Sequence, residues 1–323
     1  TETRSLKEKL QVTSRTDEWV EIRDRGPARI HRTGFNRGGP KGQHFEFQLS
    51  IDGVTVGMTD RVLPSATMPN LVVKQTGRDC LLNGAINCYQ WIRDNVEVLG
   101  GRIEWEKLSR VDLALDIANL PVDSLQELVE QQQFITRAKR VTPKHELIAD
   151  QRTGFEVGLR PLRMNAYDKI QEQKKKSDKL ILEALITRRW GGQLPACATR
   201  IEFQVCRPWL PHHGVDSPAD LLRLQGSIIS HLMQWFRITT TPIDRKNKNQ
   251  ARAKTHPLWV WLTESFLECY GDSSEELTPL DRAAVRPLML IKQARGCLAS
   301  GLLQRGVRAG SYDEFVHQLA KLQ

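Results

Sequence analysis

The sequence predicts an α+β fold: a mainly antiparallel sheet with helices packed on one face, followed by a helical C-terminal domain. Three observations predict it. Residues 109–117 (SRVDLALDI), 162–169 (LRMNAYDK) and 199–205 (TRIEFQV) alternate apolar and polar side chains with a period of two, the pattern of half-buried strands. Stretches with helical spacing lie between these segments. From Ser217 onward the pattern becomes helical throughout.

After a polar leader, WVEIRDRGPARIHRTG and HFEFQLSIDGVTVGM read as strands, with Asp52 and Gly53 as a two-residue hairpin signal. The basic loop between them, FNRGGPKGQ, lacks the G-K-[ST] ending and following helix of a phosphate cradle, so it reads as a plain loop. Residues 79–99 carry Leu82, Ile86, Tyr89, Ile92 and Val96 at helical spacing, and Gly100 and Gly101 stop them. The Asp112 strand comes next, then an amphipathic helix over 121–134 with Leu125, Leu128 and Val129 inward. ELIADQRTGFEVGLRPLRMNAYDK predicts a meander of two strands around Gly154. Residues 169–190 predict one charged helix, 191–195 a loop, and the Glu202 strand closes the segment. Arg110-Val-Asp112 and Arg200-Ile-Glu202 repeat one triplet after a helix, so a pseudo-duplicated strand-helix-strand unit is one reading and chance the other. Asp216-Ser-Pro opens a helix to about Arg237. A basic loop, 244–254 (DRKNKNQARAK), leads to HPLWVWLTESFLECY and further helices punctuated by Pro279 and Pro287. The expected domains are therefore 1–215, built on the sheet, and 216–323, helical.

At 323 residues the chain can hold two domains or one elaborate one. Hydrophobic content of 40% with 26% charged residues excludes disorder as the default. A net charge of +9 and a pI near 9.3 call for a polyanionic partner, with nucleic acid ahead of an anionic membrane surface. No apolar run approaches the ~18–20 residues of a span, and TETRSLKEKL has no signal-peptide core, so a cytoplasmic protein is expected. The six cysteines form no C-x-x-C pair and read as reduced, mostly buried thiols. There is no His-hydrophobe-His triplet. A metal site would therefore lean on Asp and Glu, which favours Mg²⁺ or Mn²⁺.

The alternation sorts the three strands into two faces. One carries Val111, Leu113, Leu115, Ile117, Leu162, Met164, Ala166, Ile201, Phe203 and Val205 and belongs on a core. The other carries Arg110, Asp112, Asp116, Arg163, Asn165, Tyr167, Lys169, Arg200, Glu202 and Gln204. A phenol that attacks a phosphodiester needs deprotonation or a nearby cation, a divalent ion at the phosphate and positive groups along the strand. Tyr167, the acids of the flanking strands, Arg110, Arg200 and Lys169 supply those parts. The plainer alternative is an amphipathic strand tyrosine with its hydroxyl in water. Asp112 and Asp116 are four residues apart, roughly 13 Å on an extended strand, so they cannot both ligate one ion. Asp112 and Glu202 are the preferred ligand pair, with structural ion pairs to Arg110 and Arg200 as the competing reading.

In this order and at about these separations, RVDLALD, NAYDK and RIEF resemble the motifs of the Rep_trans replication initiation factors. That family holds rolling-circle plasmid initiators and related relaxases of conjugative elements and phage satellites. The resemblance spans roughly residues 15–270 and includes HPLWVWLTESF, which is similar to the family's Trp-rich motif. Phe155-Glu-Val-Gly158 stands where the family shows a Tyr-hydrophobe-Gly strand, a departure from its pattern. The resemblance implies that Tyr167 is the nucleophile and that Asp112 and Glu202, with Asp116 close by, hold Mg²⁺ or Mn²⁺. It makes 1–215 a catalytic nicking domain that cuts and rejoins DNA through a 5′-phosphotyrosyl link, with Lys169 beside the nucleophile. Arg110, Arg163 and Arg200 would hold flanking phosphates. The partners it implies are DNA, as origin duplex or hairpin and as single-stranded nick site, a host helicase and a second copy in a homodimer, with no membrane. A non-catalytic, sequence-specific DNA-binding protein on the same scaffold is the alternative from another class. A tyrosine recombinase is disfavoured, because the C-terminal third shows no Arg, His-x-x-Arg, Tyr arrangement.

The basic loop gives a first prediction. Replacing Arg245, Lys246, Lys248, Arg252 and Lys254 with Gln should weaken duplex origin binding and flatten its dependence on salt. Every phosphate that these cations no longer neutralise takes about 0.9 off the slope of log affinity against log salt. Cleavage of a short single strand should survive, whereas an unchanged salt slope would make the loop a mere linker.

Overall fold

The computed structural model describes residues 19–278, apart from 22–26, 32–34, 38–42, 52–53, 60–68, 99–101, 147–150, 208, 245, 247–248 and 273–274. The polar leader, the Asp52-Gly53 turn, Arg245, Lys248, Tyr312 and the segment of Pro279 and Pro287 lie outside the described residues. The fold is α+β, with helices and antiparallel sheets, as the alternating segments predict. Its N-terminal part forms β1 (Trp19–Glu21), β2 (Pro27–His31), β3 (Phe35–Arg37), β4 (Gln43–Phe45), β5 (Phe47–Ile51), β6 (Val54–Met58) and β7 (Leu71–Gln75). Five of these make an antiparallel sheet in the order β1-β2-β5-β6-β7, while β3 and β4 pair separately. Ile51 pairs with Val54, the register a two-residue hairpin requires.

Helices α1 (Gly77–Asn83) and α2 (Ala85–Val98) replace the single helix expected over 79–99. Gly84 at φ 82° breaks the run, a backbone conformation that glycine alone adopts freely. The central sheet follows. Its elements are β8 (Arg110–Ala118), α3 (Val122–Glu130), β9 (Phe134–Thr136), β10 (Val141–Glu146), β11 (Gln151–Leu159), β12 (Leu162–Asp168), α4 (Lys169–Lys176), α5 (Lys179–Arg189) and β13 (Ala198–Cys206). The strand order is β10-β11-β12-β13-β8, antiparallel throughout.

Two expectations are corrected here. The segment 146–169 does make two strands, β11 and β12, but the meander does not turn at Gly154, which lies inside β11; the chain turns at Arg160 and Pro161. Nor is 169–190 one helix. Ser177 adopts a left-handed conformation at φ 53°, and Asp178 starts α5 by accepting a hydrogen bond from the Ile181 amide at 3.2 Å. A Ser-Asp pair is a stop followed by an N-cap, a signal that outranks the run of helix-forming lysines before it.

Beyond the sheet come α6 (Trp209–His212), α7 (Pro218–Trp235), β14 (Phe236–Ile238) and α8 (Pro257–Tyr270). Ser217 and Asp220 form a reciprocal capping box with Pro218 at the first helical position, so α7 starts where the sequence predicts. It stops at Trp235, and 236–238 pairs with β9 instead of continuing the helix toward Arg237. One core joins the apolar sheet face to the helices above it. Leu113, Ile117, Met164, Ile201, Phe203 and Val205 meet Leu125 and Val129 of α3, Ile228 and Leu232 of α7, and Trp259 and Phe266 of α8. Each fully buried side chain of this size contributes about 1.5–3 kcal/mol relative to exposure. This core runs continuously across residues 215–216, so α7 and α8 form a layer of the sheet's own packing.

A smaller cluster gathers at one end of the opposite, polar face. Leu81 of α1, Ile170 of α4 and Leu185 of α5 pack on Ala198, which shares its strand face with Arg200. At the sheet edge, the Tyr270 hydroxyl donates to the Ala114 carbonyl at 3.0 Å and accepts from the Ala114 amide at 2.9 Å. That satisfies both outward backbone groups at the middle of β8.

Gly154 of β11 has no room for a side chain against β12. Its φ is +131°, and a Cβ added there would stand 2.0 Å from the Ala166 carbonyl oxygen and 2.9 Å from the Tyr167 Cα. The amide of Gly154 is turned to the buried Gln126 side chain, whose Oε1 accepts it at 2.8 Å. Gln126 Nε2 also donates to the Lys144 carbonyl at 3.0 Å, so one amide ties α3 to both strands. Gly154→Ala should therefore cost about 2 kcal/mol or more through overpacking and backbone strain. Thermal denaturation followed by circular dichroism should show a melting temperature several degrees lower. A variant that melts with the parent would mean that β11 swings aside freely.

Candidate active site

Strand alternation puts Tyr167 on the polar face opposite Arg200, and β12 stops one residue later. Asp168 caps α4, its Oδ1 accepting the Gln171 amide at 2.9 Å, so Lys169 is the first helical residue rather than a strand residue. The strand-to-helix corner folds Lys169 back over Tyr167, with Nζ 5.9 Å from the ring centroid. Lys169 is only 4% exposed and is hydrogen-bonded to Glu172 at 2.5 Å. Burial pushes its pKa down, the nearby Arg200 charge pushes the same way, and Glu172 opposes both. Burial drives the Glu172 carboxyl up, but hydrogen bonds from Lys169 and Lys176 outweigh it and hold the group at about 2.

Register decides which groups meet on this face. Tyr167 is opposite Arg200, Asn165 opposite Glu202 and Arg163 opposite Gln204; on the other side Arg200 is opposite Asp116 and Glu202 opposite Ala114. The Tyr167 hydroxyl donates to Glu202 Oε2 at 3.4 Å. Burial raises the Tyr167 pKa well above that of a free phenol, the Glu202 and Glu172 charges add to the rise, and Arg200 acts against them. The phenol is therefore neutral in the resting protein.

Arg200 grips Asp116 with two parallel hydrogen bonds, from Nε to Oδ1 and from Nη2 to Oδ2, the latter at 2.6 Å. The Asp116 side chain is fully buried and that of Arg200 is 15% exposed. Burial works against the Arg200 charge, yet Asp116 keeps its pKa raised above that of a free guanidinium. Arg189, from the end of α5, brings Nη1 to 3.8 Å from the same carboxylate while staying partly open to solvent. Asp112 is held instead by Arg110, its neighbour two residues back, through Nε at 2.7 Å and Nη2 at 2.5 Å, in an exposed pair.

The face thus collects Tyr167, Lys169, Arg200, Glu202, Asp116, Asp112, Arg110 and Arg163, but does not gather the three expected metal carboxylates into one cluster. Glu202 lies diagonally between Asp112 and Asp116, each two residues along β8 from Ala114. Among the described residues no group of three or more His, Cys, Asp or Glu side chains could hold a metal ion. Asp116 is committed to arginine. Of the other two carboxylates, Asp112 is paired with Arg110 and Glu202 accepts the Tyr167 hydroxyl. Arg163 contacts Glu156 at 3.6 Å, and its Nε has no hydrogen-bond partner.

The basic loop sits apart from this face in the chain. Its described cations, Lys246, Arg252 and Lys254, are exposed. Its composition suggests little packing, yet Arg237 fastens its second half, donating to the Ala251 and Ala253 carbonyls at 2.8 Å and to Thr255 Oγ1 at 3.0 Å. Sequence reasoning missed this clasp, along with Glu172, Arg189 and the role of Gly154. Glu172 was within reach, three residues after Lys169 on a helical stretch. Arg189 carried no signal, because only the folding of α5 against the sheet brings it to Asp116.

No protein-family model matches the chain, and no curated protein matches it. Among solved structures, the chain is similar to the rolling circle replication initiator protein from Geobacillus stearothermophilus, at 14% identity and a TM-score of 0.46. The similarity covers 84% of this chain and 90% of that one. What this chain does is read from its own side chains. None of the described helices is long and apolar enough to cross a membrane.

Glu172 gives a pH-dependent prediction. Its folded pKa of about 2 lies below the ordinary 4.5, so its ion pairs stabilise the fold above pH 4.5 and that contribution fades as pH falls toward 2. Glu172→Gln should melt below the parent at pH 6, and the gap should close between pH 4.5 and 2. A gap that stays constant with pH would mean that the carboxylate charge contributes nothing.

Proposed function

We propose that this protein is a rolling-circle type replication initiator or relaxase that nicks and rejoins DNA with Tyr167 as nucleophile. The observation that carries the reading is the Tyr167 hydroxyl facing Glu202 at 3.4 Å, on a sheet face that also holds Arg200, Lys169, Asp112 and Arg163. The net charge of +9 supports a nucleic-acid substrate, and the resemblance of R-V-D, Y-D-K and R-I-E to the replication initiation factor motifs supports the class.

The chain's own groups divide the work as follows. Burial keeps the Tyr167 phenol protonated, so attack on phosphorus must be coupled to loss of its proton, and Glu202 Oε2 is the carboxylate placed to take it. Arg200 holds its plane against Asp116 and cannot leave to bind a phosphate without stranding a buried charge, so it acts by orienting Tyr167. Arg189 and Arg163, whose carboxylate contacts are 3.8 and 3.6 Å long, are the arginines free enough to hold flanking phosphates, whereas Arg110 is engaged with Asp112. Asp112, and Glu202 through its other oxygen, would hold the divalent ion, which would neutralise charge on the phosphate under attack. The 3′ oxygen leaves, and the energy of the broken bond is kept in the phosphotyrosyl link. Rejoining therefore needs no nucleotide cofactor.

Incubating the protein with Mg²⁺ and labelled single strands from its own replicon should give an adduct that survives denaturant. Tyr167→Phe should abolish the adduct and leave duplex affinity within a few-fold, since only the nucleophilic oxygen is lost. Glu202→Ala and Asp112→Ala should each remove Mg²⁺-dependent cleavage without lowering the melting temperature. Asp116→Ala should instead unfold the protein more easily, by about 3 kcal/mol, because it leaves Arg200 buried and unpaired. A parent protein that binds the strand but never forms an adduct would identify a non-catalytic DNA-binding protein.

A further inference from the structure

We propose that Trp105 and Lys107 form a stacking site for an unpaired nucleobase of single-stranded DNA entering the polar face; this rests on the reading of that face as a nicking site. The segment 102–109 has no regular secondary structure, yet it is fixed along one side. Glu106 accepts hydrogen bonds from Tyr89 and from Arg93, the latter at 2.9 Å, which anchors it to α2. Leu108 packs on the main core, its amide donates to the Asp216 carbonyl at 2.7 Å, and its carbonyl accepts from Arg207 at 2.7 Å. Glu106 and Leu108 are held inward, while Trp105 and Lys107, on either side of Glu106, are exposed.

Trp105 is 47% exposed, and Lys107 Nζ stands 5.2 Å from its ring centroid. Trp261, the other exposed large aromatic side chain among the described residues, carries no such cation over its ring. An indole on an anchored backbone with a solvent-exposed ammonium on its face suits a nucleotide. The base replaces the ammonium on the ring, and Lys107 shifts to the adjoining phosphate. The segment runs directly into β8, and five residues of chain place Trp105 within about 18 Å of Arg110. Stacking of this kind tolerates any base, so it would grip the single strand without reading it.

The test uses the full chain carrying Tyr167→Phe, so that no cleavage intervenes, with labelled (dT)20, a 20-base-pair duplex and an abasic sugar-phosphate strand of equal length. Anisotropy titrations should show Trp105→Ala weakening (dT)20 binding about tenfold. Trp105→Phe should recover most of the loss, and duplex and abasic-strand affinities should not change. Lys107→Gln should lower the salt slope for (dT)20 by about 0.7. The inference is overturned if Trp105→Ala binds (dT)20 within twofold of its parent, if it weakens all three ligands alike, or if the parent does not bind (dT)20. A base-dependent loss in a protein that makes no phosphotyrosyl adduct would keep this site and remove the nicking reading.

Discussion

The buried Arg200–Asp116 pair ties β13 to β8 and fixes what the polar face can present. A guanidinium that donates two parallel hydrogen bonds to a fully buried carboxylate cannot slide by a residue without exposing one charge to apolar surroundings. A one-residue slip would also carry Ile201 and Phe203 out of the core and bring Arg200 into it. The pair and the hydrophobic alternation therefore select the same register. That register puts Tyr167 beside Arg200 and Glu202 within reach of its hydroxyl.

The corner at Asp168 adds the remaining constraint. Because Asp168 uses its side chain to cap α4, the residues on either side go to different elements: Tyr167 stays on the strand and Lys169 begins the helix. A Tyr-Asp-Lys triplet is thus a mechanical unit, with one residue on the sheet face, one to end the strand and one to close over the ring. The cost of burying Lys169 is offset by Glu172, which Lys176 also holds, so the neighbourhood of Tyr167 is stabilised from the helix side as well.

Much of this was legible in the sequence. Period-two alternation in β8, β12 and β13 sorted the two faces residue by residue, because burial on one side of a sheet leaves no other pattern. The capping box at Ser217 and the helix at HPLWVWLTESF were readable from local chemistry alone. What was not legible depends on which strands become neighbours. Asp116 and Arg200 are 84 residues apart, and nothing in either segment says that this acid, rather than Asp112, meets this arginine. Gly154 suggested a turn because glycine usually marks one; here its missing side chain serves close strand approach instead, which only the partner strand reveals. The single helix expected over 169–190 failed for a readable reason, since Ser177 and Asp178 were in plain view and were outvoted by the lysines around them.

The hydrogen bonds between Tyr270 and Ala114 bear on how two copies of this chain could meet. Strand β8 is an edge of the central sheet, and an edge with free amides and carbonyls invites another strand to add to it. One phenol at the end of α8 occupies both outward groups at the midpoint of that edge, so a sixth strand cannot be continued along it without prising the helix away. Self-association by sheet extension is closed off on the side of the molecule nearest Asp112 and Arg110. Extension of the central sheet by another strand is thereby left to β10, its opposite edge.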